Sequence, residues 1–146
     1  MSASEVHRAL TRESGLLGMC GTQDMREVHA LVEAGDADAA LALEVFCYRA
    51  RKYIGAYCAA LGRVDAIVFT AGIGENDPVV RARICEGLGF FGVTLDPGRN
   101  AAPAAGERVV STPDSRVSVL VIPTDEEAEI ARLAYALVRE AHGQKE

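Results

Sequence analysis

Apolar positions recur along this chain at three spacings, and each predicts a different kind of element. Between Asp36 and Leu61, the residues Leu43, Phe46, Ala50, Tyr53 or Ile54, Tyr57 and Leu61 return every three or four positions, the spacing of one helix face. Asp36 is placed to cap that helix and Gly62 to end it. Leu41, Val45 and Cys58 widen the stripe beyond what one partner covers, which predicts a second contact surface such as a dimer interface. The second spacing is continuous: Val64–Phe69 and Val117–Ile122 are short apolar runs rich in β-branched residues, as strands buried on both faces are. The third is helical again, with Val79, Val80, Ile84 and Leu88 inward on a helix from Pro78 to Leu88 that Gly89 ends, and Ile130, Leu133, Leu137, Val138 and Ala141 on a last helix.

Turn residues connect these elements. Thr22 and Asp24 offer caps for a short helix from Met25 to about Ala34, stopped by Gly35. The stretch before it, Gly15–Gly21, is apolar and glycine-punctuated without either periodicity, and residues 1–14 are polar, with helical character around Glu5–Leu10. Phe90–Leu95 reads as a short strand closed by the turn Asp96-Pro97-Gly98, and Asn100–Glu107 as a loop. Arg108–Ser111 and Val117–Ile122 flank Pro113-Asp114-Ser115 and so form a hairpin. The second hairpin strand is the expected inner neighbour of Val64–Phe69, the two running parallel because a helix connects them. Thr124, with Glu127 three residues on, has the pattern of a capping box.

The chemistry gathers where the first strand becomes a helix, at Thr70-Ala71-Gly72-Ile73-Gly74-Glu75-Asn76. Glycine in such a turn permits positive φ and close approach of a ligand to the backbone, while uncapped N–H groups of the new helix face outward. Asn76 or Asp77 can cap the next helix, with Pro78 at its first position. The geometry suits an anion or nucleotide, although a plain tight connection between strand and helix has the same appearance. There is no third glycine as in dinucleotide folds and no Lys-Ser/Thr pair as in a P-loop. The Thr124–Glu127 turn should emerge on the same sheet edge, where its acids could hold a Mg²⁺ belonging to bound phosphates or could simply complement the helix dipole.

Composition narrows the alternatives. At 146 residues and 49% hydrophobic, the chain fits one globular domain. A net charge of −6 without a Lys/Arg cluster, and only 4 Tyr and 4 Phe, argue against a nucleic-acid partner. No apolar run reaches membrane-spanning length, and Met1–Glu5 lacks the start of a secretory signal, so a soluble cytoplasmic protein with no membrane partner is expected. Cys20, Cys47, Cys58 and Cys85 have the spacing of buried reduced thiols, and His7, His29 and His142 are expected to be solvated or packed on helices.

Three segments in order, Asp24-Met25-Arg26, Phe69–Asn76 and Ile122–Glu127, closely resemble the C-terminal part of the acetokinase family. The similarity extends to Tyr53–Tyr57 and Gly92–Pro97 and spans nearly the whole chain. It implies an α/β fold, a partial ribonuclease H-like (actin-like ATPase) domain in which a mixed sheet with parallel core strands is flanked by helices. It also implies transfer of the ATP γ-phosphoryl to acetate, giving acetyl phosphate and ADP, in a homodimer. By position, Asp24, Met25 and Arg26 together with Gly72, Ile73, Gly74, Glu75 and Asn76 resemble the family's nucleotide-binding residues, and Glu126 its Mg²⁺ (or Mn²⁺) ligand. Ala71 stands where the family usually has glycine, and Asp125 where it usually has asparagine. The family's catalytic Asp, His and Arg and its acetate pocket have no counterpart here. The resemblance therefore implies a C-terminal lobe on the nucleotide side of a two-domain enzyme, inactive alone and silent between acetate, propionate and butyrate. A non-catalytic nucleotide-binding or dimerisation module is the other reading it leaves.

Overall fold

A computed structural model describes residues 1–103 and 105–143, with side chains as far as Arg139. Its first half is helical: α1 (Ala3–Arg12), α2 (Gly15–Cys20), α3 (Met25–Glu33) and α4 (Ala37–Leu61). The expected caps Asp24 and Asp36 are present, and α1 has a cap of its own. Ser2 and Glu5 form a capping box on α1, Asp24 accepts from the Arg26 N–H on α3, and Asp36 accepts from the Ala39 N–H at 2.9 Å on α4. The glycine-punctuated stretch folds as α2 and packs on α4.

The second half alternates strand and helix: β1 (Ala66–Phe69), α5 (Ala71–Asn76), α6 (Pro78–Cys85), a 3₁₀ turn (Leu88–Phe91), α7 (Pro97–Ala101), β2 (Arg108–Val109), β3 (Ser118–Val121) and α8 (Glu126–Gly143). The sheet order is β1-β3-β2, with β1 and β3 parallel in the register Ala66↔Ser118 to Phe69↔Val121 and β2 antiparallel to β3. The hairpin and the parallel β1–β3 pair are as expected, with β3 the inner strand, and the architecture is α/β with a small mixed sheet consistent with a partial actin-like ATPase fold. Val119, Val121, Phe69 and Val110 meet Val28, Leu43, Cys47, Val80, Ile84 and Leu88 in one core.

Several expectations fail, each for a local reason. β1 is not buried on both faces: Phe69 turns into the core, whereas Ala66 and Val68 on the opposite face are exposed, Val68 by 48%. The α4 stripe holds through Ile54, which packs against the core with Phe46 and Ala50, whereas the alternative Tyr53 and the last positions Tyr57 and Leu61 are exposed. Val79 is exposed, and the helix it begins stops three residues early because Gly87, not Gly89, takes the left-handed turn at φ 78°. The segment 88–95 forms a 3₁₀ turn and two isolated bridges, at Val93 and Leu95, instead of a strand. Asp96 caps the short helix α7 by accepting from the Arg99 N–H, in place of the turn and the start of the loop. The Thr124–Glu127 capping box does not form, because Asp125 accepts from the Ala128 N–H at 2.9 Å and α8 begins at Glu126. Ile130, Leu133, Leu137 and Val138 of α8 are exposed, with no element of the described chain over them; Ala141 lies outside the described side chains.

Candidate nucleotide cleft

β1 delivers the backbone to Thr70, and Ala71 turns it through φ 59°, the left-handed region. Ala71 is the non-glycine residue with positive φ among those described, so the conformational demand expected at Gly72 and Gly74 falls on an alanine. The glycines serve other ends. A Cβ on Gly74 would stand 3.2 Å from the Phe69 carbonyl carbon, so its absence lets α5 fold closely back on β1. A Cβ on Gly72 would meet nothing within 4 Å, and Gly72 lines an open cleft. Asn76 Nδ2 donates to the Gly72 carbonyl at 2.9 Å and closes the turn on itself.

Behind this turn lies an arginine that apolar periodicity could not reveal. Arg81 is 1% exposed on α6. Its Nη1 donates to the carbonyls of Gly74 (2.9 Å) and Glu75 (3.0 Å), its Nε to Asn100 Oδ1 (2.7 Å) and its Nη2 to the Asn100 carbonyl (2.8 Å). Asn100 Nδ2 in turn donates to the Pro78 carbonyl, and Arg108 Nη2 to that of Glu75. Burial, then the nearby Arg108 charge, lowers the Arg81 pKa from its ordinary value. The carbonyl end of α5 is thus fixed by two guanidinium groups.

Asp24, Met25 and Arg26 form the facing wall. Asp24 Oδ1 accepts from the Arg26 N–H at 2.9 Å and from Arg26 Nε at 3.0 Å. The Arg26 side chain, then its backbone N–H, holds the Asp24 carboxyl down at about 2. Arg26 itself reaches into solvent with 91% of its side chain exposed, whereas Met25 is buried in the core while also lining the cleft.

The two segments enclose one cleft of ≈ 680 Å³, lined by Gln23–Arg26 and His29 on one side and by Gly72, Ile73 and Asn76–Val79 on the other. Six of the expected residues therefore meet: Asp24, Met25, Arg26, Gly72, Ile73 and Asn76. Gly74 and Glu75 do not line it. Glu75 turns toward the second strand-to-helix connection, its Oε1 accepting from the Thr124 N–H at 3.0 Å and Thr124 Oγ1 at 3.3 Å. The two turns thus share one sheet edge, tied by this contact. Glu126 stands exposed at the start of α8, and no group of three or more His, Cys, Asp or Glu converges as a metal cluster among the described residues. Gln23, His29, Asp77, Pro78 and Val79 also line the cleft and were not expected there, Asp77 having been expected only as a cap. The spacing of His29 four residues after Met25 and three after Arg26, one face of a helix, was the available signal for His29.

The fold and cleft define the class first. The chain is similar to the crystal structure of Porphyromonas gingivalis acetate kinase, with TM-score 0.88 and 38% identity over 94% of this chain and 35% of that one. It is also similar to a propionate kinase from Francisella tularensis, with TM-score 0.79 and 38% identity over 87% of this chain and 32% of that one. An acetate kinase of Nitratidesulfovibrio vulgaris (strain Hildenborough) is 55% identical over 132 residues, 90% of this chain and 33% of the relative. The chain belongs to the acetokinase family, whose model matches residues 1–132. It spans about a third of the length of the curated relatives it matches.

Proposed function

We propose that this chain forms the nucleotide side of an ATP:carboxylate phosphotransferase, which passes the γ-phosphoryl of ATP to acetate or another short-chain carboxylate to give an acyl phosphate and ADP. The observation that carries the reading is the single cleft gathering Asp24–Arg26 with Gly72, Ile73 and Asn76. Its size lies within the ~300–1,000 Å³ of small-molecule sites. Its lining mixes apolar surface (Met25, Ile73, Pro78, Val79) with amide and carboxylate groups (Gln23, Asn76, Asp24), which suits a base and ribose. Phosphoryl transfer rests on positioning and on cations around the moving phosphoryl. Of the two basic side chains lining the cleft, Arg26 is engaged with Asp24 and His29 with Asp77. The chain alone is therefore a nucleotide-binding wall without transfer activity. Likeness to a propionate kinase as well as to acetate kinases supports a short-chain carboxylate as the acceptor.

Mg²⁺, or Mn²⁺ in its place, fits this edge through a single carboxylate. Such an ion takes one or two carboxylates, with phosphate oxygens and water completing its shell. Glu126 offers one exposed carboxylate, while the Asp125 carboxylate already accepts from the α8 backbone. Bound there with phosphate, the ion would neutralise charge on the phosphate oxygens. The exposed face of α4 (Tyr53, Tyr57, Leu61) supports pairing with a second copy, and nucleotide use accords with the cytoplasm.

Titration calorimetry with ADP should give saturable heat at millimolar ligand, and acetyl hydroxamate formation by the purified chain should stay at background. No heat with ADP, with or without Mg²⁺, would overturn the nucleotide reading. Hydroxamate formed at the rate of a full-length family member would overturn the inactivity.

A further inference from the structure

The two walls of the cleft are joined by a side-chain pair 48 residues apart in sequence. His29 Nε2 lies 2.6 Å from Asp77 Oδ2, and the two side chains are 26% and 13% exposed. His29 projects from α3 one turn beyond Met25 and three residues beyond Arg26, on the side of α3 that lines the cleft. Asp77 directly follows Asn76 and has both oxygens in use. Oδ1 accepts from the Val80 N–H at 2.9 Å and caps α6, which leaves Oδ2 turned toward His29.

This arrangement differs from a histidine merely packed on its helix. Each partner is rigidly attached to one nucleotide-binding segment: His29 through the first turns of α3, where the Val28 N–H donates to the Asp24 carbonyl, and Asp77 through its N–H donated to the Ile73 carbonyl. A change in the His29–Asp77 contact therefore moves one wall relative to the other, and a ligand held between walls is sensitive to displacements of about 1 Å. With this pair, both cleft-lining carboxylates have a side-chain partner, Asp24 in Arg26 and Asp77 in His29, so each is held in one orientation.

We propose that His29 and Asp77 are a positioning pair that sets the spacing of the two walls and thereby the affinity of the cleft for nucleotide; this rests on the nucleotide reading above. Three variants of the chain, each titrated with ADP, separate the role from general stability. His29→Ala should weaken ADP binding by about tenfold or more. His29→Gln, which keeps an N–H donor toward Asp77, should bring affinity back to within about threefold of the unmutated chain. Asp77→Ser keeps a capping oxygen for α6 but is too short to reach His29, so it should melt near the unmutated temperature and yet bind ADP as weakly as His29→Ala. Unchanged affinity in His29→Ala, or equal loss in His29→Gln and His29→Ala, overturns the proposal. If the unmutated chain takes up no ADP, the nucleotide reading fails by itself, and hydrogen exchange decides the pair. His29→Ala should then speed exchange of the Val28 and Asp77 amides together by about tenfold, and unaltered exchange at both overturns it.

Discussion

Ala71→Gly should make the protein more stable, against the usual effect of adding glycine. Ala71 sits at φ 59°, where the Cβ of an L-residue crowds the following carbonyl at a cost of about 1–2 kcal/mol. Its methyl is exposed, so removing it forfeits no burial. Against this, glycine gives the unfolded chain extra freedom worth about 0.4–1 kcal/mol. The balance is a gain of about 0.5–1 kcal/mol, which for a domain of this size raises Tm by roughly 1–4 °C. Scanning calorimetry of the two proteins side by side, with the melt followed by circular dichroism, measures it. The opposite change, Ala71→Val, places a β-branched side chain in the same region and should lower Tm. A glycine variant that melts at or below the parent temperature would show that the turn carries no strain at Ala71, and the reasoning would fall. The acetokinase pattern usually has glycine here, so the substitution also restores the residue that the conformation favours.

Gly74→Ala should destabilise by about 1–2 kcal/mol, because the added methyl meets the Phe69 backbone at 3.2 Å; Gly72→Ala, with open space around it, should leave Tm within about 1 °C while weakening ADP binding, and equal melting of the two variants would contradict the division of roles. Arg81→Met deprives the Gly74 and Glu75 carbonyls and Asn100 of their donor, so urea denaturation should show a loss of about 2–4 kcal/mol; a loss under about 1 kcal/mol would mean that the network is dispensable. The Asp24 pKa is depressed in the fold, so its contribution is present above the ordinary carboxyl value of 3.8 and is lost as pH falls through about 2. An NMR titration of its carboxyl carbon should therefore have its midpoint near 2, and a midpoint near 4 would refute the Arg26 pairing.

Those features that rest on local chemistry could be read in advance. Asp24, Asp36 and Asp77 cap helices because a short side-chain oxygen reaches the next turn whatever surrounds it, and the β1–β3 pairing follows from two β-branched runs joined through helices. The meeting of Asp24–Arg26 with Gly72, Ile73 and Asn76 also followed, through family resemblance and not through periodicity, whereas Gly74 and Glu75 were expected there and do not line the cleft. What periodicity misjudged was exposure. The apolar positions of α8, the end of α4 and Val68 of β1 have the pattern of buried faces, but burial depends on a neighbour, and the described chain supplies none there. Arg81 was hidden for the opposite reason. A cation scores as surface until the fold presents it with four backbone and side-chain acceptors. Ala71 was hidden because φ is a property of the turn and not of the residue.

Every described side chain of α8 is exposed, and this bears on how the helix holds itself together. Tertiary packing, the usual source of helix stability, contributes little to it, and a solitary helix of its length is only marginally stable in water. What remains is local and weighted toward one end: the Asp125 cap, three acids in the first turn and the Glu129–Arg132 pair, against the Arg139 guanidinium over the Tyr135 ring further on. The helix–coil balance should accordingly shift along its length, with the turn bearing Glu126 the last to melt. Amide exchange slowing from residue 139 back toward residue 128 would display that gradient, and uniform exchange along the helix would deny it.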